Sequence, residues 1–376
     1  MRVGIFHPAI NICGGAERVA VSIINCVREA DNETVVLTNE RIDQDRLQKF
    51  FGRKANVDSQ IVFPFELFQT TNPHNIYTDF VRALILKSKS EVLIDTYSNG
   101  LLPSSNIVYV HYPLSGRIPQ PKGKKDIITK LKRTYYTPYL DYEKIRIKRN
   151  NTVFFANSAY TQNAIKKFMG TDSIVLYPPI ANEFFIRDVS SERTDTVVSV
   201  GRISPEKGFT LIPQIARLTD KRIRFIIVGI KASAQELKRI RELIATYDVS
   251  TRVKVVTDLP AEELKSILRS SKVFLHTTVG EHFGMSIAEA MASGCVTLTH
   301  DSGGPKEFVP NQFRFDSIQK AAETIDKTIT EWSPKMATEF TAYAERFSEK
   351  NFSKKFTETF DSYLDRRAPR KNRKHR

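Results

Sequence analysis

Two carboxylates eight residues apart, Glu281 and Glu289, stand in the run VGEHFGMSIAEAMASG, within a stretch from Thr278 to Glu307. The apolar Val273–Phe274–Leu275 precedes it, and Gly280 and Gly284 break the chain before a helical pattern begins. A strand end, a glycine loop and a helix N-terminus together present backbone N–H groups to an anion. One glutamate in the loop and one in the helix can line the same crevice without touching. Upstream, Arg202 and Lys207 stand in the loop Gly201–Gly208. Two cations beside amides suit a diphosphate whose leaving charge must be stabilised, although a surface turn would look the same. Gly14–Gly15 also lies between a strand and a helix pattern. Without a Cβ there, backbone amides can approach a ligand closely; a plain tight turn is the other reading. This is neither G-x-G-x-x-G nor a Walker loop, so a nicotinamide or ATP fingerprint is missing. His111 follows the apolar Val108–Val110, at a strand end where open α/β sheets contact ligands and where hydrogen-bonded structural histidines also occur.

Positioning such residues takes strands alternating with helices. The sequence predicts strands at Arg2–Phe6, Thr34–Leu37, Val92–Ile94, Ile107–Val110, Thr152–Ala156 and Ile174–Tyr177. A second series follows at Thr196–Val200, Phe225–Val228, Val253–Val256, Val273–His276 and Val296–Thr299. Apolar residues at helical spacing predict helices over Ala16–Arg28, Asn75–Leu86, Ser233–Thr246 and Ala261–Ser270, and from Phe315 to about Leu364. Such alternation predicts parallel sheets in two doubly wound domains. Pro178–Pro179 and the polar run Arg187–Asp195 mark the linker.

The chain of 376 residues has room for two domains, and its 41% hydrophobic content excludes wholesale disorder. No apolar run approaches the length of a membrane-spanning helix, and the first residues lack the core of a secretory signal. Three scattered cysteines give neither a disulfide framework nor a zinc site, which fits a reducing cytosol. The net charge of +15 implies an anionic partner. Much of the excess sits in Lys122–Arg149, with ten basic and three acidic residues. Tyr135, Tyr139 and Tyr142 are predicted on one helical face there, with Tyr136 beside them. Lys122, Lys124, Lys125, Lys130, Lys132, Arg133, Tyr135 and Tyr136 are the candidate membrane or acceptor residues. RNA binding or a merely solvated helix would use the same composition.

The E-x7-E pair with its EHFG loop, Arg202 with Lys207, the GGAER element and His111-Tyr112-Pro113 resemble, in order, retaining glycosyltransferases of family 4. With Ser302-Gly303-Gly304-Pro305-Lys306, they look most like the GDP-mannose-dependent α-1,2-mannosyltransferases of dolichol-linked oligosaccharide assembly. The resemblance implies an α/β GT-B fold: two doubly wound Rossmann-like domains facing a central cleft. The acceptor domain would span 1–185 and the nucleotide-sugar domain 186–345. A helix over 346–365 would cross back to the first domain, and 366–376 would be a mobile basic tail. It implies catalytic roles for His111, Glu281, Arg202 and Lys207. Donor binding would involve Gly14, Gly15, Arg202, Lys207, Gly229, Glu281, Phe283, Gly284, Met285, Ser286 and Glu289. No metal or other cofactor is expected beside the GDP-mannose co-substrate. The implied partners are a polyprenyl- or dolichol-diphosphate-linked oligosaccharide and an anionic membrane surface, with the protein peripheral on the cytosolic face; nucleic acid is not expected. Eukaryotic members carry an N-terminal anchor that this sequence does not show, so an archaeal or bacterial cytosolic relative is the expectation. A UDP-sugar-dependent transferase, a GT-B sugar-nucleotide epimerase and an RNA-binding protein are the alternatives.

Overall fold

The structure is a computed structural model describing residues 1–64, 76–118, 126–149, 151–186, 192–230 and 232–367. It has two compact units, Met1–Pro179 with Glu349–Arg376, and Ile180–Ser348. The first holds β1 (Arg2–Phe6), β2 (Glu33–Thr38), β3 (Ser59–Val62), β4 (Val92–Asp95), β5 (Ile107–Val110), β6 (Val153–Ala156) and β7 (Ile174–Val175). All pairs are parallel, in the order β3-β2-β1-β4-β5-β6-β7. The second holds β8 (Thr194–Val200), β9 (Arg224–Gly229), β10 (Val253–Thr257), β11 (Ser271–His276), β12 (Val296–His300) and β13 (Arg314–Phe315). Its order is β10-β9-β8-β11-β12-β13, again parallel. Continuous apolar runs such as the IVYV of β5 are buried throughout, as strands covered by helices on both faces require. Strand order reverses between β1 and β4 and between β8 and β11, and ligands of open α/β sheets bind at the carboxyl ends there.

Several elements were not anticipated, the two-residue β13 (Arg314–Phe315) among them. β3 is an edge strand without a fully buried position, and the helix Gln44–Phe51 buries only Leu47 and Phe51. Neither carries enough apolar periodicity to stand out. The single helical run expected after Phe315 is three helices, Ile318–Thr330, Pro334–Ala344 and Glu349–Arg367. Ser333 caps the second and Pro334 heads it, which forces a new start. The last helix buries Phe352, Phe356, Phe360 and Tyr363 in the same core as Val3, Ile5, Val19 and Ile23. The units divide at Pro179/Ile180 and Ser348/Glu349 rather than at 185/186 and 345/346. Of the linker, 187–191 lie outside the described residues, as do 368–376 of the tail.

The first core contains one costly group. Asp95 ends β4 fully buried. Its Oδ1 accepts from the Tyr97 and Ser98 amides at 2.9 and 3.0 Å, and the Ser98 hydroxyl donates to Oδ2. Burial outweighs these bonds and pushes its carboxyl up to about 6. An acid raised in the fold stabilises it below its unfolded value and loses that contribution as pH rises through the folded value. Between pH 4 and 7 this group should therefore cost stability, on the order of 3 kcal/mol in all. Asp95→Asn keeps one acceptor and cannot ionise. Its melting temperature is expected to rise relative to wild type as pH goes from 4.5 to 7. Melting curves with a gap independent of pH would contradict this.

Candidate active site

In the second unit, β11 carries the chain to His276, and Glu281 lies five residues on. Lys207 Nζ donates to Glu281 Oε2 at 2.8 Å, His276 Nε2 lies 3.2 Å from the same oxygen, and the His282 amide donates to Oε1 at 3.0 Å. Burial works against ionising Glu281, but His276 and Lys207 outweigh it and hold the carboxyl well below the usual range. The loop Ser302-Gly303-Gly304 braces this arrangement from behind. Ser302 Oγ accepts from the Gly280 amide at 2.7 Å, and the Gly304 amide donates to the Glu281 carbonyl at 2.8 Å. A Cβ at Gly303 would fall 2.2 Å from the Glu281 carbonyl oxygen, and one at Gly304 2.1 Å from that of His282. These glycines let two backbones touch.

Lys207 arrives from the loop after β8. Thr277 Oγ1 donates to the Lys207 carbonyl at 2.7 Å, tying that loop to the end of β11. Arg202 projects outward with its side chain 67% exposed, 3.4 Å from Glu206. The helix Met285–Ala292 is headed by Met285 and Ser286, half-buried, with Gly284 as its N-cap. Amides of a first turn have no carbonyl within the helix to bond, so this end can meet an anion. Glu289 is half-buried on the same helix. Two expected donor residues pack closely within the unit. Phe283 is buried between Phe308 and Phe347, with ring centroids 5.5 and 5.1 Å away. Gly229 is needed because a Cβ there would sit 2.4 Å from the Gly201 carbonyl oxygen.

In the first unit, Gly14 and Gly15 open the helix Gly15–Glu29. The Gly14 amide donates to Glu17 Oε2 at 2.7 Å, so Gly14 contributes loop shape rather than a spare donor. Glu17 also lies 3.4 Å from His7 Nε2, while His7 Nδ1 lies 2.9 Å from Thr96 Oγ1. Burial would raise the Glu17 carboxyl, but His7 and the backbone amides outweigh it and hold it below its ordinary value. His111 faces this cluster. Its amide and that of Tyr112 both donate to Asn99 Oδ1, at 2.7 and 3.2 Å, and Asn157 Nδ2 donates to its carbonyl at 3.0 Å. Asn99 does this from a left-handed backbone, φ 59°. Burial pushes the His111 imidazole down to about 4, so it is neutral near pH 7. Its Nε2 is buried without a hydrogen-bond partner, an arrangement that a ligand hydroxyl or phosphate oxygen would satisfy.

The basic helix Ile127–Ile147 packs on this unit through Tyr136, Tyr139 and Glu143. Tyr139 donates to Glu143 Oε1 at 2.6 Å, and the Leu101 amide donates to Tyr139 Oη at 2.9 Å. Tyr136 is therefore part of the core and does not face outward, contrary to its expected membrane role. The buried seam runs through Tyr136 and Tyr139, while Tyr135 is exposed. Ile127, Ile128 and Leu131 are 64%, 71% and 66% exposed on the first turns, beside Lys130, Lys132 and Arg133. Lys122, Lys124 and Lys125 lie outside the described residues.

His7, Glu17, Asn99 and His276 were not singled out from the sequence. The two histidines share one signal with His111, a histidine at the end of an apolar strand run.

Residues 181–347 match the family described as "Glycosyl transferases group 1". Relatives over most of the chain carry the name GDP-Man:Man(3)GlcNAc(2)-PP-Dol alpha-1,2-mannosyltransferase. The Homo sapiens protein is 25% identical, covering 95% of this chain and 86% of its own length. That of Dictyostelium discoideum is 24% identical, covering 94% and 83%. That of Candida albicans is 26% identical over 80% of this chain, which spans only 60% of that relative's length. Among solved structures, Anabaena HepE in complex with UDP and glucose superposes with TM-score 0.72 at 17% identity, over 96% of this chain and 100% of that one. WaaG, a glycosyltransferase involved in lipopolysaccharide biosynthesis, gives 0.70 at 14%, over 96% and 99%. Residues 181–347 are thus a group 1 glycosyltransferase domain, in a chain with the two-sheet GT-B fold of those glycosyltransferases.

Proposed function

We propose that the protein is a retaining hexosyltransferase that moves mannose from GDP-mannose, in α-1,2 linkage, to an oligosaccharide linked through diphosphate to dolichol or a related polyprenol. The observation that carries this reading is the Lys207–Glu281 pair at the strand-order reversal of a group 1 domain, together with the name its relatives share. Arg202, Lys207 and the amides heading Met285–Ala292 neutralise the departing diphosphate, a task that charge and helix dipole perform without a divalent metal. Among the described residues no group of three His, Cys, Asp or Glu converges as a metal site. Glu281 holds sugar hydroxyls and Glu289 the ribose. His111, neutral, hydrogen-bonds the transferred sugar rather than titrating.

Retaining hydrolases use a carboxylate nucleophile. Glu281 suits that role poorly, because its charge is already bound by Lys207 and His276. A front-face displacement fits better. The acceptor hydroxyl bonds to the anomeric carbon as the bond to diphosphate breaks, and its proton passes to the departing phosphate oxygen. Transfer from GDP-mannose to a synthetic diphosphate-linked Man(3)GlcNAc(2) acceptor, measured in EDTA, tests this. Arg202→Ala, Lys207→Ala and Glu281→Ala should each lower kcat/KM by roughly 10²–10³-fold. Full activity in Arg202→Ala or Glu281→Ala protein would sink the assignment.

No described helix is long and apolar enough to cross a membrane. The exposed Ile127, Ile128 and Leu131 amid lysine and arginine have the make-up of an interfacial anchor on an anionic leaflet. On this reading the protein binds peripherally, on the cytosolic face, where a lipid-linked acceptor would be presented. Sedimentation with phosphatidylserine vesicles should fall at least several-fold in the double variant Ile128→Asp, Leu131→Asp, with transfer to a soluble acceptor intact. Undiminished vesicle binding, or loss of an RNA complex instead, would remove this surface from the account.

A further inference from the structure

We propose that His276 is a positioning residue for the donor site, its Nε2–H fixing the Glu281 carboxylate so that a single acceptor position is left for the sugar. The inference rests on reading Glu281 as a sugar ligand. A carboxylate offers about four acceptor positions. Oε2 of Glu281 meets both Lys207 Nζ and His276 Nε2, and Oε1 takes the His282 amide. Three positions are thereby spoken for, and the one remaining is on Oε1. Lysine alone would not set this orientation, because its ammonium is a point charge on a flexible stem.

His276 has the rigidity that lysine lacks. It closes β11, 3% exposed, in register with Thr299 of β12. Its proton can be assigned chemically. Ionised Glu281 only accepts, so the nitrogen facing it carries the hydrogen. Burial, helped by Lys207 and opposed by Glu281, lowers the imidazole below its ordinary value, leaving it a neutral donor. The Lys207–Glu281 charge balance is therefore undisturbed, whereas an imidazolium would add a third charge beside the diphosphate.

Glutamine can place its amide nitrogen near the position of Nε2, asparagine nearer that of Nδ1, and phenylalanine offers no donor. Steady-state transfer from GDP-mannose to the soluble diphosphate-linked acceptor, with GDP affinity by calorimetry, compares His276→Gln, His276→Asn, His276→Phe and Glu281→Gln. The Phe and Asn variants should lose kcat on the order of 10-fold, with GDP affinity within about threefold of wild type, and His276→Gln should recover most of the loss. Should the Phe variant fail to fold, the Gln–Asn contrast still decides. Equal rates for Gln and Asn, or a wild-type kcat in His276→Phe protein, overturn the proposal. If Glu281→Gln is impaired while His276→Phe is not, only the role of His276 falls. Normal transfer by Glu281→Gln overturns the reading of the site and the proposal with it.

Discussion

A carboxylate taken out of water must be paired, or it gives up its charge. The pairing of Glu281 organises the second unit around that need. Lys207 brings opposite charge from one loop, His276 brings a neutral donor from the strand beneath, and the His282 amide takes one position on the other oxygen. The rest follows from keeping three loops in contact. Thr277 ties down the Lys207 backbone, and Gly303 and Gly304 are glycines because the Glu281–His282 backbone occupies the space a Cβ would need. The resulting site holds its charges still before any ligand arrives, the kind of preorganisation on which stabilising a leaving diphosphate depends.

The first unit meets a related problem differently. Its sheet also reverses at the strands that deliver the functional residues, β1 with His7 and β4 with Asp95. Here the unpartnered group is a buried, neutral imidazole, that of His111, and the bonds around it fix backbone rather than charge. Asn99 holds two consecutive amides of the His111 loop, and Asn157 holds its carbonyl. Asp95 anchors the turn that carries Asn99, with two amides and a hydroxyl on one buried carboxyl. The stability it costs near neutral pH is what that rigidity demands.

Much of this was legible in the residues. The alternation of apolar runs with helical patterns fixed the fold class, because parallel strands buried on both faces are continuous in sequence. Glycine loops at strand ends and the spacing of Arg202, Lys207, Glu281 and Glu289 marked the site. What stayed hidden depends on which way side chains turn. Tyr136 and Tyr139, rather than Tyr135, became the buried seam: both join one apolar core, and Tyr139 packs against the loop at Gly100, where a Cβ would collide with its hydroxyl. Phe283 lies within a ligand-like loop yet packs into an aromatic cluster. His276 looked like the last residue of a strand, and its partner lies across a turn that periodicity does not describe. Glu17 turns back to accept from the Gly14 amide, a bond visible only once the helix start is fixed.

On the proposed function, the Lys207–Glu281 site receives a nucleoside diphosphate sugar with a guanine base. The direct measurement is the thermal stability of the full chain in EDTA with GDP, UDP and ADP, each alone and then as GDP-mannose or UDP-sugar. A ligand at a hundred times its dissociation constant adds about 2.7 kcal/mol, a shift of a few degrees for a protein of this size. That shift is expected with GDP and GDP-mannose and is lost in Lys207→Ala protein. Stabilisation by UDP alone would keep the fold and overturn the donor, and no shift with any nucleotide would contradict the site itself.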